Sequence, residues 1–503
     1  MQSLIILGRQ PKLGLAELES LYGADKLSPV GNHAVLIDME PATVDFGRLG
    51  GMVKFCKVLA ELDTTSWSEI EKYLIKTVPQ HLSNLPEGKL RLGLSVYDID
   101  IAPQLIIATG LKLKKVIQKS GRSTRVVPNV EPALNAAQVL HNKLNGPLGW
   151  ELIFVTHGNK TLLAQTIAVQ DIEAYGQRDH GRPKRDTKVG MLPPKLAQII
   201  INLAVGFIGD QPISPLCEDG VQGDGEQRSE TYQKYGEQVA ELPTQQSASS
   251  GSRVASSASK QADASQMAIL DPFCGTGTVL LEAAMMGYNP YGSDIEPRMV
   301  EYSKTNLDWL GEKLFHPLFT YLVELGDAAS AQWDNSFDFV ASEVYLGRHF
   351  ASPPSLDVLR QVVSDVNVIT KKFLINLAKQ TKPGFRLCLA LPAWTRTTQH
   401  SSLLPSTARN SARASGASSR FSSAVLPRSS NSTASSAPQR ENGTSTQLRG
   451  SDFIHLPLLD SLEELGYNRL SFVHATDEDL IYYREGQIVA RELVVLQRTD
   501  GPH

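Results

Sequence analysis

Cysteine, long apolar runs and a strong net charge are all scarce in this 503-residue chain. The four cysteines are widely spaced and include no Cys-x-x-Cys pair. This spacing argues against a disulfide framework and a structural zinc site, and it favours a reducing, cytoplasmic compartment. No apolar run approaches the roughly 20 residues that span a membrane. The segment Met1–Gly8 lacks the basic region and cleavage site of a signal peptide, so we expect a first strand there. From the apolar runs and the cysteine spacing, we expect neither a membrane partner nor a bound metal.

The length and composition indicate a globular chain of several domains. At about 150 residues per domain, 503 residues predict two to four of them. The 41% hydrophobic and 20% charged residues are ordinary for a globular protein, and a net charge of −4 does not by itself indicate a nucleic-acid partner. Two segments, at about 215–266 and 398–450, are Ser-rich and have no apolar period. They cannot bury enough surface to offset the entropy of ordering, so we predict two disordered insertions.

The rest of the chain divides into three predicted blocks, 1–62, 63–177 and 178–503. In the first block, the apolar pattern predicts strands at 4–7 and 34–37 around a helix at 15–21. In the second block, it predicts strands at 90–96 and 125–128, helices at 103–119 and 133–144, and a hairpin of 150–156 with 161–169 turned at Gly158-Asn159. Strands that alternate with helices indicate an α/β fold.

The middle of the chain is basic although the whole is not. From residue 111 to residue 195 there are 14 Lys and Arg against 6 Asp and Glu, so this stretch carries +8 and the remainder −12. Such a local field suits a protein that binds RNA phosphates, while a solvated helix surface is the alternative. Few aromatic residues are interleaved, so we expect contact with the backbone and shape of a folded RNA. The predicted contacts are Lys112, Lys114, Lys115, Lys119, Arg122, Arg125, Arg182 and Arg185.

The most informative stretch is a short apolar strand that ends at Asp271 and leads through a Gly275-Thr-Gly277 turn into an apolar helix. Two glycines at this place let the backbone approach a ligand at the carboxyl edge of a parallel sheet. Two further acids, Asp294 and Asp327, follow the next two predicted strands, the second of them at 319–323. Three acids at successive strand ends predict a nucleoside-binding edge. The Gly-x-Gly-x-x-Gly fingerprint of NAD sites and the Gly-Lys-Ser/Thr of P-loops are both missing from this turn.

The segment Asp271-Pro-Phe-Cys-Gly-Thr-Gly-Thr278 resembles the S-adenosylmethionine loop of class I RNA and DNA amino-methylases. The segments 178–203 and 482–496 narrow this resemblance to the THUMP-domain tRNA guanine-N2 methyltransferases. The resemblance implies a ferredoxin-like domain at 1–62, a THUMP RNA-binding domain at 63–177 and a Rossmann-like methyltransferase domain at 178–503. It also implies S-adenosylmethionine as cofactor, tRNA as partner and methylation of N2 of a guanosine at position ten. The need for a small activating protein subunit stays open. The implied cofactor-binding residues are Asp271, Pro272, Cys274, Gly275, Thr276, Gly277, Asp294, Ile295 and Asp327.

The catalytic motif departs from that family. Its members carry Asp/Asn-Pro-Pro-Tyr after the fourth strand, whereas this chain has Ser342-Glu343-Val344-Tyr345. An alignment on the following glycine puts Glu343 in the acid position, and one on the tyrosine puts Ser342 there. We favour Glu343, because a carboxylate is the stronger acceptor for two amine hydrogens. Two alternatives stay open: a catalytically silent tRNA-binding protein, and an amino-methylase that acts on rRNA or DNA.

Overall fold

The computed structural model describes residues 3–186, 191–207, 267–313, 319–396 and 452–500. The two predicted insertions, at about 215–266 and 398–450, lie outside the described residues. The described residues form two β-sheets with helices packed against them, which confirms the predicted α/β class.

The first sheet has eight strands in the order β2-β3-β1-β4-β8-β7-β5-β6. Its strands are β1 Ser3–Leu7, β2 Leu27–Val30, β3 Ala34–Ile37, β4 Met52–Leu62, β5 Leu90–Tyr97, β6 Thr124–Val126, β7 Gly149–His157 and β8 Lys160–Val169. Its helices are α1 Pro11–Tyr22, α2 Trp67–Thr77, α3 Pro103–Lys119, α4 Ala136–His141 and α5 Ile172–His180. Because β4 pairs with both β1 and β8, a single sheet runs across the predicted boundary at residue 62.

Strand β4, helix α4 and strand β11 are among the elements that differ from the sequence pattern. Strand β4 is not predicted, because the fully buried Lys54, which is paired with the equally buried Glu151, interrupts its apolar face. Helix α4 is shorter than the predicted 133–144: Asn135 and Gln138 form a capping box that starts it, and Lys143 adopts a φ of 50° beyond its end. Strand β11 covers Leu322–Leu325 instead of 319–323.

The second sheet has the order β11-β10-β9-β12-β13-β17-β15. Its strands are β9 Ala268–Asp271, β10 Asn289–Asp294, β11 Leu322–Leu325, β12 Phe339–Glu343, β13 Arg386–Thr395, β14 Phe453–Ile454, β15 Tyr467–Arg469, β16 Ile481–Tyr482 and β17 Val489–Arg498. Its helices are α6 Pro194–Val205, α7 Thr278–Met285, α8 Pro297–Lys313 and α9 Leu356–Gln380. The first five strands of the order are parallel and β17 is antiparallel to β13. The strand order reverses between β9 and β12, which opens a crevice at their carboxyl ends, as in Rossmann-like sheets.

Helix α6 joins the two sheets because almost all of its side chains are buried. Its residue Asn202 donates to the Glu17 carboxylate of α1 at 2.7 Å, and Glu17 also accepts the backbone N–H groups of Gly50 and Gly51. Arg48 donates to the Asn202 side chain at 3.1 Å. Burial raises the pKa of Glu17 to about 7, against the opposing effect of these hydrogen bonds. This polar contact fixes the first sheet to the helix that covers the second.

Candidate functional site

The turn between β9 and α7 brings backbone to the carboxyl edge of the second sheet. Gly275 and Gly277 have φ values of 53° and 80°, in the left-handed region that favours glycine. A Cβ at Gly277 would lie 2.9 Å from Ser303 Oγ, so this position also requires a small residue. At Gly275, the nearest atom beyond its chain neighbours is the Phe273 carbonyl oxygen, 4.0 Å from a Cβ position. The turn is therefore open to a ligand at Gly275 and closed at Gly277.

Asp294, at the end of β10, supports the turn and faces the same crevice. Its Oδ2 accepts the backbone N–H of Gly275 at 2.8 Å, and its Oδ1 accepts that of Glu296 at 2.9 Å. Each carboxylate oxygen has a second lone pair, which can accept a ribose hydroxyl. Burial raises the pKa of Asp294, and the two backbone donors oppose this shift.

Ile295 and Asp327 continue this edge toward β11. The Ile295 side chain is 67% exposed directly after Asp294, so it offers apolar surface beside the turn. Gly326 donates its N–H to the Asp294 carbonyl at 3.0 Å, and this contact places the exposed Asp327 one residue away. A flat base that entered this crevice would therefore meet the apolar side chain of Ile295 and could donate a hydrogen bond to the Asp327 carboxylate.

Asp271 lies beneath the turn and is 2% exposed. Its Oδ1 accepts the Ser342 hydroxyl at 2.6 Å and the backbone N–H of Phe273 at 3.2 Å. Burial raises the pKa of Asp271 to about 7; the two hydrogen bonds oppose this shift, and the charges of Asp294 and Glu343 add to it. The carboxyl group therefore holds the turn in place from below.

The remaining turn residues are packed or bonded from behind. Cys274 is 4% exposed and its Sγ accepts the Ser303 hydroxyl at 3.6 Å. Burial raises the pKa of the Cys274 thiol well above its ordinary value, so it stays protonated and is not a nucleophile. Pro272 is buried. The Thr276 carbonyl accepts from Asn306 of α8 at 2.8 Å, which fixes the outer side of the turn.

The end of β12 presents the predicted catalytic residues in different environments. Ser342 is fully buried and its hydroxyl is used by Asp271. Glu343, on the opposite face of the strand, has a side chain that is 16% exposed. Tyr345 is 42% exposed just beyond the strand end. Of the two candidates for the acid position, Glu343 is therefore the one whose side chain is partly exposed and whose oxygen atoms are not bonded to Asp271.

The structure adds a partner that the sequence pattern does not predict. Arg491, on β17, donates from Nε to Glu343 Oε1 at 2.8 Å, and its side chain is 6% exposed. Burial raises the pKa of Glu343, and the Arg491 charge and hydrogen bond oppose this shift. The signal available in the sequence is weak: an Arg-Glu pair interrupts the apolar strand Val489–Arg498.

The basic residues of α3 and β6 are only partly free for RNA. Lys115, Lys119 and Arg125 are exposed and Lys114 is half-buried; we call these four the cationic face. Lys112, also exposed, is paired with Glu71 at 2.6 Å. Arg122 donates to the carbonyls of residues 82, 85 and 86, so it braces that loop, and we leave it out of the cationic face.

The connector between the two sheets is bonded to the segment that joins β9 to α7. Arg182 is 3% exposed, and its Nη1 donates to Thr278 Oγ1, at the start of α7, at 2.6 Å. This burial corrects the predicted RNA contact of Arg182, because its guanidinium has no surface for a phosphate. Asn306 accepts from the Lys184 N–H and donates to its carbonyl, both at 2.9 Å. Arg185 is exposed and stays a predicted contact.

The second sheet and its helices have the α/β fold of class I methyltransferases. Residues 251–399 match the family model UPF0020, an RMKL-like methyltransferase domain, which indicates S-adenosylmethionine as the methyl donor. The chain is similar to the tRNA (guanine(10)-N2)-dimethyltransferases of Pyrococcus abyssi, with 38% identity over 94 residues, and of Methanothermobacter thermautotrophicus, with 30% over 124 residues. These alignments cover 18% and 25% of this chain and 27% and 32% of the two relatives, so the chain spans about a third or less of their length.

Among solved structures, TrmN from Thermus thermophilus is similar to this chain with a TM-score of 0.42 and 14% identity, over 99% of this chain and 100% of the other. Within the described residues, no helix is long and apolar enough to cross a bilayer. In the same part of the chain, no group of three or more His, Cys, Asp or Glu side chains is placed to hold a metal ion.

Proposed function

We propose that the chain is an S-adenosylmethionine-dependent methyltransferase that modifies the exocyclic N2 amine of the guanosine at position ten of tRNA. The observation that carries this proposal is the placement of Glu343 and the exposed Tyr345 at the end of β12, directly beside β9, which leads into the cofactor turn. The names of the two curated relatives, both tRNA (guanine(10)-N2)-dimethyltransferases, support the choice of substrate.

The cofactor is held by the first three strand ends of the sheet. Asp294 accepts the ribose hydroxyls, Ile295 packs against the adenine and Asp327 accepts from its amino group. The open side of Gly275 leaves room for the ligand against the backbone, while Asp271 and Ser342 fix the turn from below. Bound S-adenosylmethionine supplies an electrophilic methyl group on a sulfonium.

The base is held by the fourth strand end. The lone pair of a guanine N2 amine is delocalised into the ring, so the amine is a poor nucleophile. The Glu343 carboxylate accepts amine hydrogens, localises the lone pair on nitrogen and faces the proton that must leave. Tyr345 stacks on the base, with a contribution of about 1–3 kcal/mol. Alignment of the two reactants supplies much of the remaining rate, because positioning alone reaches effective molarities of roughly 10⁵ M or more.

The tRNA is held by the first part of the chain. The ferredoxin-like domain at 1–62 and the THUMP domain at 63–177 share the first sheet in this proposal, and the cationic face of α3 and β6 binds phosphates. The contact of Glu17 and Arg48 with α6 then fixes the distance from bound RNA to the catalytic edge.

The test is methyl transfer by the purified full chain from S-adenosylmethionine to tRNA transcripts, followed by mass spectrometry of the nucleosides. We expect N2-methylguanosine or N2,N2-dimethylguanosine, and none with a transcript that carries adenosine at position ten. Methylation of that control transcript, or of rRNA or DNA instead of tRNA, would assign a different substrate. Binding of tRNA with no transfer to any substrate would favour the silent RNA-binding alternative. The specific ground for that alternative is that Val344 and Tyr345 stand in place of the two family prolines when Glu343 takes the acid position.

A further inference from the structure

The Glu343–Arg491 pair is placed where the proposed reaction needs an acceptor. The two residues come from β12 and β17, which do not pair with each other; β13 lies between them. Across β13, Glu343 is opposite Ala390 and Arg491 is opposite Pro392. A small residue and a proline at these positions leave the space over β13 in which the two long side chains meet.

We infer that Arg491 is a positioning residue, which holds one oxygen of Glu343 so that the other oxygen faces the substrate amine. The inference rests on the proposed function. The geometry that carries it is the single 2.8 Å hydrogen bond from Nε to Oε1, which leaves Oε2 to the crevice. With the Arg side chain 6% exposed and the Glu side chain 16% exposed, solvent competes little for this bond.

The Glu343–Arg491 pair also compensates for the greater length of glutamate, which stands where the family motif has aspartate or asparagine. Glutamate has one more rotatable bond, so a free Glu343 would spread its acceptor over several positions. The rigid, planar guanidinium directs its Nε–H along one line, whereas the rotating donors of an ammonium define the position of a carboxylate oxygen less closely. Arg491 thus fixes the position of the Glu343 carboxylate, whereas the family motif fixes its acceptor by using the shorter side chain of aspartate or asparagine.

The charge of Arg491 matters as well, because Glu343 must be ionised for its second oxygen to accept an amine hydrogen. The charged group that contacts Glu343 is Arg491 from β17, which favours its ionisation. The charge of Glu343 in turn raises the pKa of Asp271 at the end of β9. Strand β13 presents Ala390 at this register, Tyr482 of β16 lies opposite Arg491, and α6 adds apolar side chains to the same face. Removal of Arg491 therefore raises the pKa of Glu343 further. As the pH is lowered, the variant should then lose activity at a higher pH than the wild type does.

The experiment measures single-turnover methyl transfer to tRNA from pH 5.5 to 9 with the full chain and saturating cofactor. For R491Q, we expect a rate that is roughly 10²–10³-fold lower at pH 7. The acidic limb of its pH–rate profile should lie about one to three pH units higher than that of the wild type. The affinity for S-adenosylmethionine should stay within about threefold of the wild type, because Asp294 ends β10 and Gly275 lies in the turn after β9, and neither contacts Arg491. R491K keeps the positive charge but lacks the planar guanidinium. The acidic limb of its pH–rate profile should therefore stay in place, while its rate falls about tenfold or more.

The matched control is R469Q. Arg469, on β15, is also largely buried and pairs with Glu492 of β17 at 3.3 Å, but it does not touch Glu343. This variant should leave the acidic limb in place. Should R491Q fail to fold, R491K decides: a rate equal to that of the wild type overturns the inference.

The outcomes separate the inference from the proposed function. A wild type that transfers no methyl group overturns both. An active wild type with an R491Q limb that does not move overturns the inference alone and makes Arg491 a structural residue. A limb that moves equally in R469Q overturns it too, because a general loss of stability would then be the cause.

Discussion

The cofactor side and the base side of the catalytic edge are built by different means. On the cofactor side, at β9 and β10, backbone N–H groups and positive-φ glycines form the site, and Asp294 completes it with two backbone hydrogen bonds. On the base side, at β12, the acceptor Glu343 is held by a side chain 148 residues away in the chain. A site made of local backbone tolerates few changes within one segment. A site made of distant side chains can change one motif, provided that another strand supplies the support.

The largest effect is expected from D294A, which removes the acceptor for both ribose hydroxyls. Two charged hydrogen bonds at about 1.5–3 kcal/mol each predict a loss of S-adenosylmethionine affinity of roughly 10²–10⁴-fold. Calorimetry measures this loss, while tRNA binding by the first part of the chain should hardly change. D338A is the matched control, because Asp338 also accepts a backbone N–H, that of Ala268, at the opposite edge of the sheet. Equal loss of cofactor and tRNA binding would contradict the division of the chain into two binding regions.

Asp271 should make the protein less stable as the pH rises. Its pKa is about 7 in the folded chain against an ordinary 3.8, so the folded state holds a proton that the unfolded state releases between about pH 4 and 7. The free energy of unfolding then falls across that window, by up to about 4 kcal/mol from this group. D271N keeps the acceptor for Ser342 and removes the titration. Urea unfolding at several pH values should show the difference between wild type and D271N growing from pH 4 to pH 7, and a constant difference would refute the assignment.

On the base side, E343Q should lower the rate of methyl transfer by roughly 10²–10³-fold, because it removes the charge of the acceptor while keeping its shape. Cofactor affinity should barely change. S342A is the comparison variant: it removes a hydroxyl that is fully buried and already bonded to Asp271, so its rate should stay close to that of the wild type. A silent E343Q together with a crippled S342A would show that the tyrosine-anchored alignment is correct.

The smallest effect concerns the region farthest from the edge. Neutralisation of Lys114, Lys115 and Lys119 together should weaken tRNA binding and reduce the slope of log affinity against log salt by about 2–3, if all three contact phosphates. The matched control is K372Q/K379Q/K382Q, which changes the same charge at exposed positions on and after α9. Salt titrations of tRNA binding distinguish the two triple variants. Equal slopes would return the cationic face to a solvated helix surface.

Prediction from sequence succeeds here where the determinants are local. Helix α3 has the predicted bounds, and the β7–β8 hairpin turns at Gly158-Asn159 as its residues indicate. The Asp271-to-Thr278 turn is equally local, so its class follows from one segment. Prediction fails at β4, where the charge of Lys54 hides an inward-facing strand position that only Glu151, on β7, makes acceptable.

The predicted RNA contacts show the same limit. Composition finds the basic stretch, but it does not distinguish exposed lysines from cations that are used inside the protein. Arg182 and Arg122 both count toward the local charge of +8, yet the first is buried against Thr278 and the second braces a loop. Exposure depends on packing against segments that are distant in the chain, which a window of sequence does not contain.

The sequence by itself determined the α/β class, the glycine turn and the order of acids along the strands, because each depends on neighbours within a few residues. Only the tertiary structure decided which side chain meets which across the sheet. In the tertiary structure, Ser342 donates to Asp271 and Arg491 donates to Glu343. The two sheets are joined through the hydrogen bond between Asn202 and Glu17. The physical reason is that a strand's alternation fixes the face on which a side chain lies, whereas its partner comes from the order of strands, and that order is set by the packing of the whole domain.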